Sequence, residues 1–153
     1  MNRVDYVAVF VTRVHENKTQ VLLGRRADGA YMGGTWQLIS GGIEANERAW
    51  QAAIREVREE TGLTVTELYR LENVAEFYRP DIDALCTGIY FLAEVETLAS
   101  AQHNAEHTAL EWVDDNDIDS RLTWTSDRSA WANACTQVIG RGLLKQWLRI
   151  EMS

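Results

Sequence analysis

The stretch Gly41 to Leu63, GGIEANERAWQAAIREVREETGL, constrains this chain more than any other. Glycines lead it, a polar turn follows, and a helix then gathers three acidic residues near its end. Glu56, Glu59 and Glu60 fall at i, i+3 and i+4. At about 100° per residue, Glu56 and Glu60 project within about 40° of each other, with Glu59 flanking them. Trp50, Ile54, Val57 and Thr61 share a neighbouring face and read as the buried stripe. Like charges at this spacing repel by a few tenths of a kcal/mol per pair, so a merely solvated helix would alternate its signs. Oxygen ligands for a hard divalent cation are the physical use for such a cluster.

The spacing extends through the whole stretch. Gly41 is followed after five residues by Glu47, and after seven more by Arg55-Glu56-Val57-Arg58-Glu59-Glu60-Thr61-Gly62-Leu63. An acidic solvated helix with an Arg55–Glu59 pair would explain the carboxylates alone, but not the glycines, Glu47, Arg55 and Gly62 in register with them. In these 23 residues the chain resembles the Nudix hydrolases, which split a nucleoside diphosphate linked to another moiety. The resemblance implies an α/β fold, an α/β/α sandwich with a mixed sheet between helices.

Composition bounds the rest. The 153 residues suggest one domain, residues 1–153, able to bury about two thirds of its unfolded surface. A formal charge of −8 argues against a nucleic-acid polymer as partner, since that requires a basic footprint. A small polyphosphate remains accessible if metal ions neutralise both sides. The two cysteines, Cys86 and Cys135, have no ligand spacing and read as buried free thiols. The apolar run Tyr6 to Val11 is too short to span a bilayer and lacks a signal-peptide layout, so no membrane partner and a cytoplasmic location are expected.

In chain order, Val4–Val14 and Val21–Arg26 read as strands around a polar turn. Six of the ten glycines lie between Gly24 and Gly42, where backbone N–H groups can approach phosphate oxygens. Trp36–Ile39 reads as a short strand, Asn46 as the helix N-cap and Gly62 as the C′ residue. Beyond the box, strands are expected at Val65–Leu71, Val74–Tyr78, Thr87–Val95 and Ala109–Val113. A polar loop is expected at Leu98–His107 and an acidic turn at Asp114–Asp119. Helices are expected from Ser126 or Asp127 to Ile139 and over Leu143–Ile150.

The resemblance assigns roles residue by residue. Glu56, Glu59 and Glu60 should ligate Mg²⁺ or Mn²⁺, together with the main-chain carbonyl of Ser40, a position where glycine is common. Glu47 and Arg55 match positions whose pairing steadies the loop and helix. The general base varies across the family; Glu106, in a polar loop before a strand, is the candidate, with a solvated loop glutamate as the competing reading. His103 and His107 flank it and read as loop residues. Arg25, Arg26 and Arg79 are candidates for binding phosphates, because guanidinium forks suit phosphate oxygens. Trp50 and Trp112 read as core, while Tyr31 and Trp124 fall in predicted loops and suit stacking on a flat ring.

A narrower similarity lies outside the box. Gly34-Thr35-Trp36-Gln37, Glu106-His107 with Glu111-Trp112, and Leu122–Arg128 look like the bacterial dihydroneopterin triphosphate pyrophosphohydrolases. It favours a nucleoside or pterin triphosphate as the substrate of a metal-dependent pyrophosphohydrolase. A nucleotide sugar or dinucleotide such as ADP-ribose is the alternative substrate. A Nudix-fold module that binds a nucleotide without cleaving it is the alternative of another class, although a pure binder does not require all three glutamates.

Overall fold

The computed structural model describes residues 3–96, 100–140 and 142–153. Among these residues, seven strands and four helices follow in order: β1 (Tyr6–His15), β2 (Lys18–Arg26), β3 (Trp36–Gln37), β4 (Ile39–Gly42), α1 (Ala49–Thr61), β5 (Val65–Arg79), β6 (Ala84–Val95), β7 (His107–Asp114), α2 (Asp115–Arg121), α3 (Thr125–Gln137) and α4 (Lys145–Leu148). They form one sheet in the order β3-β2-β1-β6-β5, with β4 also pairing β1 and β7 pairing β2. β1 and β6 run parallel, from Tyr6↔Gly88 to Thr12↔Glu94; the other pairs among the described residues are antiparallel.

The period-two alternation of β1 divides the core. Val7, Val9 and Val11 face one side, where Ala52, Ala53 and Val57 of α1 cover them. Ala8 and Phe10 face the other, against Ala130, Trp131 and Ala134 of α3. A strand buried on both faces needs apolar residues at every position, and Val7 to Val11 supplies them. The α/β/α sandwich with a mixed sheet is what the sequence led us to expect.

Several local expectations are corrected. Val65–Leu71 and Val74–Tyr78 belong to one strand, because a bulge between Arg70 and Val74 absorbs the polar interruption. The acidic stretch after Asp114 is helical: Asp115 and Asp117 suit the positive end of α2, and Ile118 is fully buried beneath it. The terminal helix shrinks to four residues because the chain end joins the sheet edge. There Arg149 bridges Tyr69, and the Ile150 N–H donates to the Leu68 carbonyl at 2.8 Å. The expected strand Trp36–Ile39 splits between two partners, β3 pairing β2 and β4 pairing β1.

Asn46 does not cap α1; it sits at φ 64° in the preceding turn, and Gln51 instead accepts the Arg48 N–H at 2.9 Å. Gly62 does end the helix, at φ 74°. The buried face of α1 is rotated from the expected stripe. Trp50 and Ile54 are only partly buried, whereas Glu56 and Glu60 are among its most buried residues. Trp112 is likewise only partly buried, and Cys135 is exposed while Cys86 is buried. Leu98, where a polar loop was expected to begin, lies outside the described residues.

Candidate active site

The loop from β4 into α1 is organised by one guanidinium. Arg55 donates through Nε to Glu47 Oε2 at 2.8 Å and through Nη2 to Glu47 Oε1 at 2.9 Å, a two-pronged pairing. Nη2 also reaches the Gly42 carbonyl at 2.9 Å, while Nη1 reaches Glu56 Oε1 at 2.8 Å and Glu59 Oε2 at 3.2 Å. The Glu44 N–H donates back to Glu47 Oε1 at 3.0 Å, so loop, strand end and helix close on one another. Hydrogen bonding to Arg55 holds the Glu47 carboxyl below the usual glutamate range, and bonding to Glu47 pushes Arg55 higher still.

Deeper in, the chemistry reverses. Glu60 is 1% exposed, with Oε2 unpartnered, and burial pushes its carboxyl up to about 10. The Ser40 N–H hydrogen-bonds this side chain, and the Glu106 carboxyl stands within hydrogen-bonding reach of it. Glu56 is also raised, by burial first, with Arg55 opposing and the charges of Glu59 and Glu106 adding. A carboxylate trio in a low-dielectric pocket is costly unless a cation neutralises it. Gly41 makes room for it: a Cβ at this position would lie 2.1 Å from Glu56 Oε1.

The donor set and the orphaned oxygen fit a hard divalent cation, but the side chains are not gathered around a point. Among the described residues, no three His, Cys, Asp or Glu side chains form a ready-made metal cluster. Glu56 and Glu59 both point at Arg55, and Glu59 is half exposed. For Glu56 and Glu59 to hold an ion, their side chains would have to rotate away from Arg55.

The remaining candidates divide among three places. Arg25 donates to Thr108 Oγ1 at 2.9 Å, Arg26 donates to the Tyr31 carbonyl at 2.8 Å, and the Ala27 N–H donates to the Glu106 carbonyl at 3.0 Å. Arg25, Arg26, Tyr31 and Glu106 thus belong to one linked loop cluster, in which Tyr31 is 78% exposed. Trp124 precedes α3, on the opposite face of the sheet from α1, and is 44% exposed. Arg79 is engaged by Asp81 at the tip of the β5–β6 hairpin. His107, read from sequence as a loop residue, opens β7 and is 2% exposed. Its signal was spatial: Gly24, two residues before its register partner Arg26 on β2, leaves space for an imidazole.

Residues 4–134 match the family model for the NUDIX domain, most of the chain. The chain belongs to the Nudix family. A plant relative, Nudix hydrolase 6 of Arabidopsis thaliana, is 31% identical over 110 residues, which are 70% of this chain and 38% of that protein. This chain therefore spans well under half the length of that Nudix relative. Among solved structures, a C. elegans Ap4A hydrolase complex superposes with TM-score 0.73 at 22% identity, covering 88% of this chain and 96% of that one. The E. coli dihydroneopterin triphosphate pyrophosphohydrolase superposes with TM-score 0.63 at 24% identity, covering 84% and 95%. At these identities both likenesses describe the Nudix fold alone. Among the described residues, no helix is long and apolar enough to cross a membrane.

Proposed function

We propose that this Nudix chain is a divalent-metal-dependent pyrophosphohydrolase that cleaves a nucleoside or pterin triphosphate to a monophosphate and pyrophosphate. The observation that carries the reading is the convergence of Glu56, Glu60 and Glu106, with a buried carboxyl oxygen left unpartnered. Nudix hydrolases generally use divalent metal ions; here Glu56, Glu59, Glu60 and the Ser40 carbonyl would hold Mg²⁺ or Mn²⁺. When bound, the metal supplies charge neutralisation for the phosphate oxygens and lowers the pKa of coordinated water.

The chain's own residues do the rest. Glu47 and Arg55 lock the loop so that the helix carboxylates keep their positions. Glu106 accepts a proton from the attacking water on its carboxylate. The water oxygen bonds to the α phosphorus as the bond to the bridging oxygen breaks, and pyrophosphate departs. Arg25, Arg26 and Arg79 bind phosphate oxygens through donors left over from their present contacts, a guanidinium having five. Tyr31 and Trp124 stack on the flat heterocycle. The sequence similarity outside the box, at Glu106-His107 and Leu122–Arg128, favours dihydroneopterin triphosphate or a purine deoxynucleotide.

A nucleotide panel with Mg²⁺, Mn²⁺ or EDTA tests the class, and hydrolysis in ¹⁸O-labelled water with mass spectrometry of both products locates the bond. We expect label in the monophosphate, pyrophosphate as co-product, and no turnover in EDTA. Faster cleavage of ADP-ribose than of any triphosphate, or orthophosphate as first product, would overturn the substrate reading.

A further inference from the structure

His107 stands apart from every role described so far. It is 2% exposed, and neither ring nitrogen has a hydrogen-bond partner. A buried imidazole left unpaired forfeits hydrogen bonds to water, so its place calls for a physical reason. Its ring lies on the backbone of Gly24, where a Cβ would come within 2.5 Å of Cδ2. Any side chain at that point on β2 would push the ring from its seat.

The sheet is also irregular there. Arg25 pairs with Ala109, but Arg26 pairs with His107, so β7 carries Thr108 as one extra residue. A bulge of this kind re-aims the side chain beside it. Thr108 is caught by Arg25, and His107 turns inward onto Gly24. The residue immediately before the plug is Glu106. Its N–H donates to Asn104 Oδ1 at 2.9 Å and its carbonyl accepts from the Ala27 N–H at 3.0 Å. Backbone ties on one side and a buried ring on the other leave the Glu106 side chain its own torsions and little else. Its carboxyl then stands against Glu60.

We propose that His107 is a positioning residue: seated on Gly24 beside the Thr108 bulge, it anchors the start of β7 so that Glu106 is held against Glu60. This inference rests on the reading of Glu106 given above, and the experiment separates the two. Single variants His107→Leu and Glu106→Gln and the double variant are compared on the triphosphate turned over fastest in the panel. Amide hydrogen exchange at Ala27 and Glu106 is followed in the same proteins without nucleotide.

We expect His107→Leu to fold, to lose about tenfold in kcat with KM within twofold, and to cost nothing further in the Glu106→Gln background. Exchange at Ala27 and Glu106 should speed up about tenfold while β1 amides stay protected. Should the leucine variant not fold, His107→Gln, which takes the ring away, and Gly24→Ala, whose Cβ would displace it, replace it with the same expectations. Additive losses in the double variant, a wild-type kcat in a folded His107 variant, or unchanged Ala27 exchange overturns the inference alone. A wild-type rate in Glu106→Gln removes the assignment of Glu106 and this inference with it.

Discussion

Glu60 is a long acidic side chain placed where a folded protein ordinarily places leucine. With 1% exposure and a carboxyl pushed up to about 10, it holds its proton at neutral pH in the metal-free protein. Burial of this kind destabilises the ionised form and makes Glu60 a candidate for the chemistry proposed above. Glu60→Gln keeps the shape and removes the acid, so thermal stability should be unchanged or higher. Turnover should fall by more than about 100-fold, the upper range for losing even an outer-shell partner of a metal. Glu56→Gln should behave alike in activity. A folded Glu60→Gln protein with near wild-type turnover would remove the metal-site reading. For Glu106→Gln, loss of a positioned base predicts a drop of about 10²–10⁴-fold in kcat with the melting temperature nearly constant. A loss under about fivefold would return Glu106 to an ordinary loop glutamate and point to Glu59.

At the scale of elements, β4 and α1 function as one device, and Gly41 is where they touch. The residue lies in a regular antiparallel pairing with Val7, so alanine suits its backbone. The obstacle is the Glu56 carboxyl, which a Cβ would meet at 2.1 Å while Arg55 holds it at 2.8 Å. Gly41→Ala should therefore evict that carboxyl at a cost of about 1–2 kcal/mol, the ordinary range for a point mutant. Activity should fall as far as in Glu56→Gln. Thermal melts with initial rates check this, and wild-type rates in the alanine variant would show that Glu56 does not act from this spot.

Across the whole molecule, the second face of the sheet carries its own buried acid. Asp127 is 7% exposed in the first turn of α3, and the Tyr90 hydroxyl donates to its Oδ1 at 2.6 Å. Burial raises its pKa above the ordinary 3.8, against the pull of that hydrogen bond. The folded state therefore binds more protons than the unfolded one above pH 3.8, and stability from this group falls as pH rises through the folded value. Glu47 and Glu111, lowered by Arg55 and Arg121, and Asp114, lowered by Gln20, contribute with the opposite sign. The difference between Asp127→Asn and the parent isolates the first contribution. Urea unfolding should show the variant gaining relative stability from pH 4 upward; a constant difference across pH would contradict the raised pKa.

The box was legible in the sequence because its chemistry is local. Glycine, carboxylate and arginine spacings fall within two dozen residues, and a helix turns their spacing directly into neighbours. Arg55 pairs with Glu59 as helix spacing allows and with Glu47 as the family resemblance implied, and the unbroken β-branched and aromatic run of β1 announced a strand. What escaped was decided by contacts far apart in sequence. Glu56 and Glu60 turned inward because α1 lies on the sheet through Ala52, Ala53 and Val57 rather than through Trp50 and Ile54. The polar break in β5 vanished because a bulge against β6 absorbed it. The terminal helix was cut short because Ile150 found the Leu68 carbonyl at a sheet edge. His107 looked like a loop residue until Gly24, 83 positions earlier, lay beneath it. Spacing along a chain specifies which groups a helix or strand can bring together; which face is buried, and against what, is chosen only when distant segments compete for the same core.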